Sequence, residues 1–254
     1  MTATDLELAY DLALANRILV RHGVLDAFGH VSARAASAPD HFLLSRNKAP
    51  ALVEPADILL HGADGSAGQG ERLYLERFLH AEIYRARPDV MAIVHSHSPA
   101  VIPFGIVEVD LEPVIHTAGF LAEGVSRFDT RAEFGETDLL IRNSKMGASL
   151  AGSLGASSVA LMRGHGSVAV GASVQHATYR AIYTEMNARV LSTALALGSV
   201  ATLSSAEGLA ADVTNSGQIE RLWAVWGADV RFAEYYDTLS PVAASEGFPA
   251  GMPS

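Results

Sequence analysis

Cysteine is absent from the chain. That excludes a disulfide framework and thiolate chemistry, and it is consistent with a reducing compartment. An excess of positive charge is absent too: 18 Lys and Arg stand against 28 Asp and Glu, a formal net charge of −10. Such a chain projects no global field for nucleic acid or for an anionic membrane, so an anionic substrate needs a local cationic pocket. No uninterrupted apolar run approaches the roughly 20 residues that span a bilayer. Met1 to Glu7 is acidic where a secretory signal needs a basic stretch followed by an apolar core. The expectation is a soluble, cytoplasmic protein with neither nucleic acid nor membrane as partner.

What is present is a large apolar complement. Hydrophobic residues make up 49% of the 254 positions and charged residues 18%, enough to close a full core. No internal repeat breaks the chain, so one domain over 1–254 is predicted, with a C-terminal helix and tail from about 216.

Thr4 reads as the cap of a helix over about 5–22 that Gly23 ends, with Leu8, Leu12 and Leu19 on one face. Further helices are predicted over 76–86, from about Ser173 to Leu197, and from about Gln218 to Tyr235. Strands are predicted at Phe42–Leu44, Met91–His95, Pro113–His116, Val159–Met162 and Ser167–Val170. Ala201 to Asn215, rich in Ala and Ser, reads as a mobile connection. Strands alternating with helices predict a layered α/β domain, a central sheet flanked by helices.

The most informative stretch is Ile93-Val94-His95-Ser96-His97-Ser98. In a strand, residues i and i+2 share a face, so His95 and His97 can aim ring nitrogens at one point. His165 follows another apolar run, between Gly164 and Gly166, which let the backbone turn and expose the ring. Alone, a histidine beside a strand is usually a packed or hydrogen-bonded residue. Three neutral imidazoles with an open position describe a catalytic divalent-metal site.

Four features occur in order: Gly29-His30-Val31-Ser32, then Glu76 opening a helical stretch, then His95-Ser96-His97, then Gly164-His165-Gly166. Together they resemble the class II aldolase/adducin family, from about residue 5 to about residue 200. The resemblance implies a mixed or mostly antiparallel sheet and a divalent ion (zinc, manganese, iron or cobalt) on His95, His97 and His165. It also implies that Glu76 is a general acid/base and that the protein is a homo-oligomer, a tetramer or a multiple of one. Glu76 would need a raised pKa for that work, which partial burial could supply. His80, four residues on, reads as a packing residue or one supporting the site from behind. Trp223, Trp226 and Tyr235 read as packing or interface residues.

The sugar-phosphate aldolases of this family hold phosphate with an Asn, a Thr-Gly pair and a Ser-Ser pair. The corresponding places here read Gly29-His30, Ser45-Arg46-Asn47-Lys48 and Leu73-Tyr74-Leu75-Glu76. His30, Ser45, Arg46 and Tyr74 suit a planar carboxylate and an aromatic ring instead, Arg46 as a bidentate fork and Tyr74 by stacking and donating. In these residues the chain is similar to the decarboxylases of hydroxylated pyridine dicarboxylates and dihydroxyphthalates. The expected function is therefore metal-dependent decarboxylation of a hydroxylated aromatic or heteroaromatic carboxylate, with Glu76 as proton donor and His30 second. The alternatives are a class II aldolase on a hydroxy-keto substrate, a sugar-phosphate epimerase, and a non-catalytic adducin-like module.

Overall fold

In the computed structural model, which describes residues 1–68, 70–228 and 230, Thr2 opens α1 (Ala3–Arg21). Its hydroxyl accepts from the Asp5 backbone N–H while the Asp5 carboxylate accepts from the Thr2 backbone. This reciprocal box starts the helix ahead of the Thr4 cap predicted from sequence. There follow β1 (His30–Arg34), β2 (Phe42–Ser45), β3 (Ile58–His61), α2 (Arg77–Ala86) and β4 (Ala92–Ser96). The chain continues through β5 (Ser126–Phe128), α3 (Arg131–Phe134), α4 (Ser144–Leu154), β6 (Val159–Met162) and β7 (Gly166–Gly171). Helices α5 (Val174–Leu197), α6 (Ser205–Ser216) and α7 (Ile219–Ala228) close it.

The strands form a single mixed sheet in the order β3-β2-β1-β4-β7-β6-β5. Every pairing is antiparallel except β5 with β6. This is the layered α/β class expected. Period-two alternation sends Val31, Ala33, Ala92 and Val94 into a core shared with α1 and α5. Ile93, Val168 and Val170 face the other way, against Leu79 and Ile83 of α2 and Leu150 of α4. Each valine, leucine or isoleucine among them, fully buried, contributes about 1.5–3 kcal/mol. Along β1 the residues between the apolar ones are His30 and Ser32, so the α2 side of the sheet carries a buried polar seam.

Two predicted elements differ. Pro113–His116 is not a strand, because the Asn187 side chain takes its backbone groups. The Val114 and Ile115 N–H groups donate to Asn187 Oδ1 at 2.8 and 3.3 Å, and Asn187 Nδ2 donates to the Glu112 carbonyl at 2.8 Å. With those groups satisfied no neighbouring strand is required. The segment 201–215 is mostly helix rather than a mobile connection. Ser204 caps α6 and Glu207 answers it, a Ser-x-x-Glu box that the small-residue composition obscured. The helix predicted over 218–235 is present as α7; Tyr235 lies outside the described residues.

Candidate metal centre

Strand β4 carries His95 and stops at Ser96, so His97 stands one residue past its end. The two rings still converge, with centroids 5.0 Å apart. Gly164, with φ at +65°, turns the chain between β6 and β7 in a way other residues rarely adopt. That turn brings the His165 ring to 5.0 Å from His95 and 5.0 Å from His97. Glu76 immediately precedes α2. Its Oε1 accepts from the Ile141 N–H at 3.0 Å, which leaves Oε2 3.4 Å from Nε2 of both His95 and His165. One donor atom from each of Glu76, His95, His97 and His165 lies within 4.8 Å of the others.

These residues fit a cation. His95 Nδ1 donates to the Ser167 carbonyl at 3.1 Å, which fixes the tautomer and leaves the Nε2 lone pair facing the cluster. Nε2 of His95, Nε2 of His97 and both ring nitrogens of His165 are buried without a hydrogen-bond partner among the described residues. Buried lone pairs converging on one point are costly unless something electropositive satisfies them. Three imidazole nitrogens are a donor set for zinc, manganese, iron or cobalt, and the Glu76 carboxylate stands beside the point they share.

Burial raises the Glu76 carboxyl, but His95 and His165 outweigh it and hold the group well below the usual carboxylate range. That direction is opposite to the raised pKa expected for Glu76, and it holds where the facing imidazoles, or a cation between them, carry the positive charge. Burial, and then His95 and His165, push His97 down to about 4, so its lone pair is free at neutral pH.

Glu76 and His97 of the cluster line a cleft of about 250 Å³ together with His30 and Tyr74. His30 pairs with His95 across β1 and β4, and its ring lies 4.5 Å from that of Tyr74. The Tyr74 hydroxyl donates to the Lys48 carbonyl and accepts from buried Ser45 at 3.3 Å. The tyrosine thus offers its ring and not the donor expected of it, and Ser45 acts behind it. Arg46 is not brought to the cleft. Its guanidinium lies 3.2 Å from Asp57 and 3.4 Å from Glu71, so the fork expected for a substrate carboxylate is occupied by the chain's own acids.

The lip of the cleft matches no sequence motif. Phe28 is 66% and Leu75 50% exposed, and both line the cleft with Leu140 and Asn47. Exposed large apolar residues at a cavity mouth mark a surface that something apolar covers. A phenylalanine two residues before His30 was the available signal. A larger depression of about 780 Å³ borders Arg87 and Arg180, but metal-ligating side chains converge only at Glu76 and the three histidines among the described residues. Trp223 and Trp226 pack on the chain's own core, Trp226 edge-on to His22 at 5.3 Å. No helix among the described residues is long and apolar enough to cross a membrane.

The profile of the class II aldolase and adducin N-terminal domain matches residues 10–192, and the chain belongs to that family. It is 36% identical over 249 residues to decarboxylase tropJ of Talaromyces stipitatus, covering 88% of this chain and 94% of the relative. It is 32% identical over 183 residues to a 3,4-dihydroxyphthalate decarboxylase of Arthrobacter keyseri, covering 67% of this chain and 72% of the relative. Its fold matches the crystal structure of an aldolase II superfamily protein from Pseudomonas syringae with a TM-score of 0.75, at 19% identity over 91% of this chain and 94% of that one.

Proposed function

We propose that the protein is a divalent-metal-dependent decarboxylase of a hydroxylated aromatic or heteroaromatic carboxylate. The observation that carries this reading is the convergence of Glu76, His95, His97 and His165 beneath a lip of Phe28 and Leu75. The two decarboxylase relatives support it.

In this reading His95, His97 and His165 hold the ion. When bound it supplies Lewis-acid stabilisation of charge developing on the substrate oxygens. The Tyr74 ring and the Phe28 lip flank the substrate ring and keep water from it. Ionised Glu76 takes the proton of the substrate hydroxyl ortho to the carboxylate, leaving a phenolate. It then returns that proton to the ring carbon bearing the carboxylate, giving a ketone-like dienone. The carbon–carboxylate bond breaks, its electron pair restores the aromatic phenolate, and carbon dioxide leaves. Solvent reprotonates the product. Glu76 ends as it began, an ionised carboxylate.

A class II aldolase on a hydroxy-keto substrate would use the same four residues and is the second reading. The apolar lip disfavours a sugar phosphate, and no Lys or Arg lines the cleft among the described residues. A non-catalytic adducin-like role leaves the buried nitrogen lone pairs unexplained. The test is a product screen of metal-loaded protein with ortho-hydroxy aromatic acids and sugar phosphates. Carbon dioxide from an aromatic acid supports the decarboxylase; an aldehyde from a sugar phosphate, with no carbon dioxide from any acid, replaces it with the aldolase.

A further inference from the structure

Behind His30 runs a chain of buried hydrogen bonds that the mechanism above does not use. His30 Nδ1 lies 2.7 Å from His80 Nε2, His80 Nδ1 lies 2.7 Å from Ser32 Oγ, and Ser32 Oγ lies 2.8 Å from the Tyr84 hydroxyl. Period two on β1 supplies His30 and Ser32, and the i, i+4 spacing on α2 supplies His80 and Tyr84 to the same seam. His80 and Ser32 are fully buried, and Tyr84 is 5% exposed. Phe42 backs the chain, stacked against His80 and tilted against Tyr84.

Hydrogen positions follow from counting. Two hydroxyls and two neutral imidazoles carry one N–H or O–H proton each, so four protons serve three hydrogen bonds and one is left over, at Tyr84, at His30, or at Ser32 when its oxygen accepts from both neighbours. Left at Tyr84 or at Ser32, it would be a buried O–H with no acceptor, since among the described residues Tyr84 meets only Ser32 Oγ, and Ser32 meets only Tyr84 and His80. Such a donor carries its full desolvation cost. Left at His30, it sits on a ring that lines the cleft, where water or substrate accepts it. Burial also holds His80 well below the ordinary imidazole range, so it remains neutral.

We infer that Tyr84, Ser32 and His80 are positioning residues that donate in sequence toward His30 and present it to the cleft as a neutral, Nε2-protonated hydrogen-bond donor. His30 is then a fixed donor pole beside His95, aimed at a substrate oxygen, and not a proton source. To reload a proton given up by His30 the chain would have to draw on Tyr84, whose hydroxyl burial pushes well above its usual range. The tautomer stands on the hydrogen bonds alone; its effect on turnover rests on the decarboxylase reading.

The experiment is long-range proton–nitrogen NMR on protein labelled with ¹⁵N in its histidines, metal-free and zinc-loaded, with His30 assigned by signal loss in His30→Gln. The expected pattern at His30 is a pyrrole-type Nε2 and a pyridine-type Nδ1; a protonated Nδ1 overturns the inference, whatever reaction the protein catalyses. Two variants extend it. His80→Gln keeps an amide donor opposite His30 and should keep both the tautomer and most of the turnover. His80→Glu, when ionised, offers only acceptors, so at a pH where it is ionised it should move the His30 proton to Nδ1 and lower kcat by ~100-fold, the scale of losing one aimed donor, with metal content unchanged. Equal kcat in both variants, with the tautomer reversed in one, would refute the role assigned to His30 while leaving the decarboxylase reading intact. No carbon dioxide release from any form, with the tautomer as expected, would fail that reading and not this one.

Discussion

A Cβ placed on Gly166 would lie 2.1 Å from the carbonyl oxygen of Ser96. Strands β7 and β4 therefore approach more closely than a side chain permits, at the point where Ser96 pairs with Ser167 and between the residues that bear His97 and His165. Gly166→Ala must push the strands apart. The expected result is a loss of about 1–3 kcal/mol, the usual scale of overpacking, with weakened metal retention because His165 moves away from His95. Thermal melting and elemental analysis of the variant check this, and a wild-type Tm with full metal content would contradict it.

Glu76 and the histidines should separate by what each variant loses. His95→Ala, His97→Ala and His165→Ala each remove a ring nitrogen from the cluster and should deplete metal and turnover together. Glu76→Gln keeps the shape and the Ile141 hydrogen bond but cannot take a proton, so metal should stay while turnover drops on the order of 100-fold. Near-normal turnover in Glu76→Gln would move proton transfer to another group.

Arg46→Lys is expected to leave substrate preference alone. Because Asp57 and Glu71 already engage the guanidinium, the substitution should change kcat/KM for aromatic monocarboxylates and dicarboxylates by the same factor, within about twofold, as surface ion pairs are weak. A selective loss on dicarboxylates would return Arg46 to the substrate.

The metal-free protein should lose stability in mild acid. Burial is the first cause holding His61, His97 and His176 down to about 4, against an ordinary 6.5. Between those values the unfolded chain binds protons that the folded chain refuses, so stability rises with pH there. Their contribution is present above about 6.5 and is lost as pH falls through 6.5 toward 4. Tm measured against pH on chelated protein should be level near pH 7 to 8 and fall below 6.5; a flat profile down to 4.5 would show these rings to be protonated without cost.

Much of this was legible in the sequence because it rests on short-range periodicity. The spacing of His95 and His97 and the two glycines around His165 announced convergence that the fold carries out. What was not legible depends on partners far along the chain. Nothing local says that Asn187 will satisfy the backbone at Val114, or that Asp57 and Glu71 will close on Arg46. The polar alternation of His30 and Ser32 and the spacing of His80 and Tyr84 were both visible, but that they interlock depends on α2 packing across β1. The sign of the Glu76 shift likewise needed the imidazoles in place, since burial alone argues for the opposite direction.

In the decarboxylase reading, carbon dioxide release depends on an ion held by His95, His97 and His165. That dependence is checked by titrating chelator-stripped protein with zinc, manganese, iron or cobalt while following release from an ortho-hydroxy aromatic acid labelled at its carboxyl carbon. Stripped protein should release none, and the rate should rise with metal to a plateau at one ion per chain. Full release from stripped protein, or a rate indifferent to added metal, would contradict it.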